Sequence, residues 1–91
     1  MVADPTIELL RAMANRRRLI LLSLLLEGEH NVSALQALSG HTQACVSQHL
    51  AVMRKARLVA AQRRGHSVVY RLQPQAAGAV RELLGACLAP T

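Results

Sequence analysis

At 91 residues the chain has room for one core and no second domain. Its net charge of +6 and pI near 11.1 point to a polyanionic partner, while a lone aromatic, Tyr70, argues against a module that stacks unpaired bases on aromatic platforms. Leu, Ala and Val carry most of the 52% apolar content, as in a small helical core. The longest apolar run, Leu19 to Leu26, is interrupted by Ser23 and falls far short of the ~20 residues of a membrane span.

Asp4-Pro5-Thr6 reads as a helix start, with Pro5 presetting the first turn, and Ile7, Leu10 and Met13 then share one face. Asn15 breaks that helix and caps the next, Arg16 to Glu27, which is apolar almost all round and therefore central and buried; Gly28 ends it. Asn31 suits the N-cap of a helix over Val32 to Ser39, where Val32, Leu35 and Leu38 repeat at three. After a Gly40-His41 turn, Thr42 caps a helix from Gln43 to Ala56 with a buried stripe of Val46, Leu50 and Met53. Strands follow over Leu58 to Gln62 and Ser67 to Leu72, joined by Arg63-Arg64-Gly65-His66. Pro74 opens a last helix with Ala76, Val80, Leu83, Leu84 and Cys87 on one face. The order α-α-α-α-β-β-α is mainly α with a β-hairpin wing, that is, a winged helix-turn-helix with extra helices at both ends.

From His30 to Arg81 there are seven Lys/Arg (Arg54, Lys55, Arg57, Arg63, Arg64, Arg71, Arg81) and no Asp or Glu. One-signed charge on a helix-turn-helix pattern is the footprint of a protein that binds the phosphate backbone. With Val46 pointing inward, a rotation of about 100° per residue leaves Ala44, Ser47, Gln48 and Ala51 pointing away from the core. Gln48 can offer donor and acceptor together to adenine, Ser47 serves either way, and the small alanines allow close approach to a major groove. An ordinary solvated face gives the same helical pattern. The wing arginines Arg63 and Arg64 and His66 have little structural purpose at a hairpin tip. Arg16-Arg17-Arg18 opposes its helix macrodipole, so phosphate, Glu8 or Glu27 is expected to compensate it.

Beyond these patterns, Leu9 to Leu72 resembles the ArsR/SmtB family of winged-helix repressors, about two thirds of the chain. The resemblance is carried by the RAMANRRRLILL entry, the EG-x-x-x-VSAL helix, the VSQHLAVMRKARLV recognition helix and the RRGHSVVYRL wing. It implies a homodimer on a pseudo-palindromic operator, released by an inducer. The family's familiar sensors are not reproduced here. Asn31 and Ser33 stand where one metal site has cysteines, Val52 and Ala56 where another has them, and the last helix offers Glu82 as its only carboxylate and no His. Of the cysteine pair that senses reactive sulfur in one subgroup, Cys87 fits one place but Ser23 occupies about the other.

These readings converge on a homodimeric DNA-binding repressor. Its partners are a double-stranded operator and a second copy of itself, with no membrane, metal or cofactor. DNA contacts are expected from Thr42, Gln43, Ala44, Ser47, Gln48, His49, Arg54, Lys55, Arg63, Arg64 and His66. Dimer contacts are expected from Ile7, Leu10, Met13, Val80, Leu83, Leu84 and Cys87. Cys45 and Cys87, with no CxxC spacing, are free thiols in a reducing, cytoplasmic setting; either is a candidate sensor, and either is also an ordinary small apolar side chain. His30, His41, His49 and His66 show no ligand spacing and no acidic neighbour, so structural or DNA-facing roles are favoured over metal binding. No Ser/His/Asp order, carboxylate pair or Gly-rich phosphate loop supports an enzyme. A winged helix used for protein contacts, and a constitutive DNA binder without inducer, remain the alternatives.

Overall fold

The structure, a computed structural model, describes residues 5–88; Asp4, expected to help start the first helix, lies outside the described residues. The elements are α1 (Pro5–Met13), α2 (Arg16–Glu27), β1 (His30–Asn31), α3 (Val32–Ser39), α4 (Gln43–Lys55), β2 (Val59–Arg64), β3 (Ser67–Leu72) and α5 (Pro74–Leu88). This is the winged helix-turn-helix expected from the sequence, with one strand added.

Side-chain caps set three of the helix starts. Asn15 Oδ1 accepts the N–H groups of Arg17 and Arg18 at 3.0 and 3.1 Å. Asn31 Oδ1 accepts that of Ala34 at 2.8 Å, and Thr42 Oγ1 that of Cys45 at 3.1 Å. Each cap satisfies donors that an α-helix leaves unpaired in its first turn. Between α3 and α4 the chain reverses through Gly40, whose φ of +77° costs a glycine nothing and whose N–H returns to the Gln36 carbonyl at 2.9 Å.

The wing differs from expectation in two ways. β2 and β3 pair antiparallel from Val59↔Leu72 to Arg64↔Ser67, so Arg63 and Arg64 are strand residues and the turn shrinks to Gly65-His66. Gly65 (φ +62°) occupies the first central position, where a two-residue hairpin turn of right-handed strands favours glycine. The second difference is β1, which pairs with β3 through His30↔Tyr70 and Asn31↔Val69 and makes the sheet order β1-β3-β2.

The core gathers Leu21, Leu22 and Leu25 of α2, Leu35 of α3, and Val46, Leu50 and Met53 of α4, closed by Leu58, Val59, Ala76 and Val80 and by Ala12 and Met13 from α1. Helix α2 is central as expected, touching α1, α3, α4, α5 and β3. Leu38, expected to continue the inner stripe of α3, is instead 57% exposed. A spacing of three drifts by about 60° per repeat against a 3.6-residue turn, which carries the third member off the face.

Helix α4 ends in a tight reversal. The Arg57 N–H donates to the Arg54 carbonyl at 3.0 Å and the Leu58 N–H to the Met53 carbonyl at 2.9 Å, with Leu58 and Met53 both buried. This is the Schellman pattern, and its left-handed position (φ +62°) is held by Arg57 rather than glycine. Arg57→Gly is expected to raise the unfolding free energy by about 0.5–1 kcal/mol, the left-handed penalty of a side chain less the greater unfolded-state freedom of glycine. The check is urea unfolding, where a midpoint equal to or below that of the parent counts against this assignment.

Candidate nucleic-acid interface

The buried stripe of α4 fixes what its other face presents. Val46, Leu50 and Met53 are at most 1% exposed, whereas Thr42, Gln43, Ala44, Ser47, Gln48 and Ala51 are exposed along one side of the helix and its cap. Arg54 and Lys55 follow in the last turn, where cations also suit the macrodipole. The polar, small-residue face read from the sequence is therefore open to a partner.

Two side chains at this helix behave differently. Cys45 and His49 are half-buried and face the start of α2. Arg18 reaches between α1, α2 and α4: its Nε donates to the Ala12 carbonyl at 2.6 Å, and one terminal nitrogen lies 3.4 Å from His49 Nδ1. A guanidinium can only donate, so Nδ1 accepts and the ring proton sits on Nε2. Burial, then the charges of Arg18 and Arg17 and the nearby His41, hold the His49 pKa below the usual imidazole value. His49 thus locks α4 to α2 as a neutral group. Arg17 places its Nη1 3.9 Å from Cys45 Sγ. Neither Arg17 nor Arg18 pairs with Glu8 or Glu27 among the described residues; the sequence alone had left the partner of this arginine run open.

At the wing, Arg63 and His66 are exposed and have no side-chain partner among the described residues. Arg64 is held by Glu29 through two bonds of 3.1 and 2.9 Å and also reaches Gln62 Oε1 at 3.3 Å. Glu29 lies one residue before the acid-free stretch, which hid this pair from a charge count. An exposed pair of this kind is worth only about 0–1 kcal/mol, so it orients Arg64 without removing it from the basic surface.

This arrangement matches proteins of known kind. Residues 15–61 match the family described as bacterial regulatory protein, arsR family. The transcriptional activator HlyU of Vibrio cholerae is 41% identical over 84% of this chain and 70% of its own length. A homodimeric winged helix-turn-helix DNA-binding domain from Mycobacterium bovis superposes with a TM-score of 0.86 at 29% identity, over 92% of this chain and 79% of that one. The transcriptional repressor BigR of Xylella fastidiosa superposes with a TM-score of 0.80 at 31% identity, over 94% and 88% of the two chains.

The chain belongs to the ArsR family. It is a transcriptional regulator built on a winged-helix DNA-binding domain. Asn31 caps α3, and Val52 and Ala56 line a groove of about 370 Å³ between α1 and α4. Among the described residues no three His, Cys, Asp or Glu gather as a metal site.

The expected dimer face needs correction. Met13 and Val80 are completely buried inside the protomer, because α1 and α5 turn these residues onto α2 and α4 rather than outward. Ile7 and Leu10 remain 49% and 52% exposed, Leu83 and Leu84 are half-buried, and Cys87 is exposed. No helix among the described residues is long and apolar enough to cross a membrane.

The depressed pKa of His49 has a stability consequence. The unfolded chain binds a proton at this residue more readily than the native one, so the native contribution is complete above the ordinary imidazole pKa of about 6.5 and is lost as pH falls through the lower native value. The parent is expected to lose stability below about pH 6.5 more steeply than His49→Gln, whose side chain does not titrate. Parallel urea-midpoint profiles for the two proteins, from pH 7.5 to 5, would rule this out.

Proposed function

We propose that the chain acts in the cytoplasm as a homodimeric, sequence-specific repressor that sets its two α4 helices into successive major grooves of a pseudo-palindromic operator, roughly 34 Å apart. The observation that carries this reading is the exposed Ser47-Gln48 face of α4, bounded by alanines and backed by a core that fixes its direction. Gln48 and Ser47 read base edges, with Gln43 and Ala44 at the groove floor. Thr42, Arg54 and Lys55 hold phosphates along the helix, and Arg63, Arg64 and His66 hold the flanking backbone or minor groove at the wing. Ile7 and Leu10 of α1 meet Leu83, Leu84 and Cys87 of α5 across the dimer axis; the exposure of Ile7, Leu10 and Cys87 in a protomer this small supports it. The relatives carry both activator and repressor names, and repression is favoured here because an operator-bound dimer needs no further surface to exclude polymerase.

Gln48→Ala is expected to cost about 1–3 kcal/mol on the duplex upstream of the protein's own gene and little on random duplex. Arg63→Ala should weaken both and flatten the salt dependence by about one unit per neutralised phosphate. Gel-shift titrations on the two duplexes distinguish these outcomes, and equal losses on both for Gln48→Ala refute base reading.

Regulation, on this reading, runs through thiols rather than metal. Cys87 at the dimer helix and Cys45 at the DNA-facing turn are free, and they are the softest nucleophiles available. Oxidation of Cys87 alters how the protomers meet, whereas oxidation of Cys45 places bulk and charge beside the recognition helix. Zinc, cadmium and arsenite at stoichiometric levels should leave operator affinity unchanged, while peroxide or polysulfide lowers it. The Cys45→Ser/Cys87→Ser double variant should not respond; if it responds like the parent, or the parent does not respond, the thiol route is wrong.

A further inference from the structure

The three arginines that open α2 are used differently. Arg18 turns inward onto the Ala12 carbonyl and His49. Arg16 and Arg17 are exposed, and neither has a carboxylate partner among the described residues, where the ion pair formed is Arg64 with Glu29. Cations in a first turn oppose the helix macrodipole, so α2 carries this charge against its own stability.

The position of Arg17 indicates what the charge serves. Its Nη1 lies 3.9 Å from Cys45 Sγ, against the first turn of α4. With Gly40, His41, Thr42 and Cys45 it lines a cleft of about 180 Å³ that contains no carboxylate. In that turn the Cys45 N–H donates to Thr42 Oγ1 and the Val46 N–H to the Thr42 carbonyl. The N–H groups of Gln43 and Ala44 have no protein partner among the described residues. A guanidinium and the positive end of a 13-residue helix thus meet at one concavity.

We propose that Arg17 is a DNA-backbone contact, binding a phosphodiester in this cleft beside the recognition helix, with Arg16 adding to the local field. The proposal rests on the DNA-binding reading above and extends the interface beyond the helix-turn-helix and wing to the start of α2. A phosphodiester suits the cleft chemically: its two non-bridging oxygens accept the forked donors of a guanidinium, and its charge suits the positive end of α4. Duplex backbone is the source of that group because the cleft shares its first turn with Thr42 and Ala44, on the exposed side of α4.

The test compares the parent, Arg17→Gln and Arg17→Lys on the duplex upstream of the protein's own gene and on random duplex, from 50 to 200 mM salt, with thermal unfolding of each protein. Arg17→Gln should weaken binding to both duplexes by similar factors. Its log–log salt slope should be flatter by about 0.9 per protomer, so that for a bound dimer the gap to the parent narrows by about tenfold across that range. Arg17→Lys should keep most of the parental slope. The Tm of Arg17→Gln should equal or exceed that of the parent, since a first-turn cation has been removed. A steep parental slope left unchanged in Arg17→Gln overturns the proposal, as does a loss confined to one duplex or a lowered Tm with a loss that Arg17→Lys does not restore. A parent that binds neither duplex instead overturns the DNA-binding reading itself, a result visible before any variant is made.

Discussion

The rotational setting of α4 governs most of what this molecule presents. Val46, Leu50 and Met53 are driven inward against α2 and α1, and each is essentially without solvent contact. Burying a side chain of this size is worth about 1.5–3 kcal/mol, so a rotation of even one residue would forfeit several times the energy of any surface contact. That constraint points Ser47 and Gln48 outward. The same constraint turns Cys45 and His49 toward α2, where a neutral His49 accepts from Arg18. The apolar stripe and the Arg18 lock lie side by side on α4, and both resist its rolling.

The arginine run shows how one short motif divides its work. Capping by Asn15 takes up the N–H groups of Arg17 and Arg18 and lets the helix begin despite three adjacent cations. Arg18 then ties the end of α1 to α4, which joins a helix proposed for dimer contact to the helix proposed for base reading. Arg16 and Arg17 stay outside, so the charge that weakens the start of α2 is available to a polyanion. A macrodipole penalty of roughly 0.3–1 kcal/mol per exposed charge is small beside a charge-assisted phosphate contact.

Much of the fold was legible because the decisive signals were local. Asn15, Asn31, Thr42 and Gly40 are cap and turn residues whose chemistry acts within four positions, and the helices they bound begin and end where that chemistry places them. The inward stripe of α4 was legible for the same reason, since periodicity encodes it directly. What escaped the sequence was non-local. β1 has two residues, too short for any alternation, and exists only because β3 offers it a free edge. Met13 and Val80 belong to helices with apolar residues on more than one side, and spacing along a helix cannot tell a face turned to its own core from one turned to a second chain. Glu29 pairs with Arg64 across 35 residues, and Arg17 meets Cys45 across 28. Neither distance leaves a mark in a local window.

The short strand β1 also couples parts that a minimal reading keeps separate. Asn31 pairs with Val69 in the sheet, and its side chain caps α3, the first helix of the helix-turn-helix. One residue earlier, His30 pairs with Tyr70, and before it Glu29 holds Arg64 near the hairpin tip. Three consecutive residues therefore fasten the wing to the entry of the DNA-reading unit, by a charge pair, a ladder and a cap in turn. Wing and α3 then cannot tilt independently without breaking a ladder hydrogen bond or a cap, each worth about 0.5–2 kcal/mol. The backbone contacts proposed for the wing arginines are thereby referred to the same frame as the base contacts proposed for Gln48. On the proposed reading, in which one polar side chain meets one base edge, that shared frame turns nonspecific charge attraction into register.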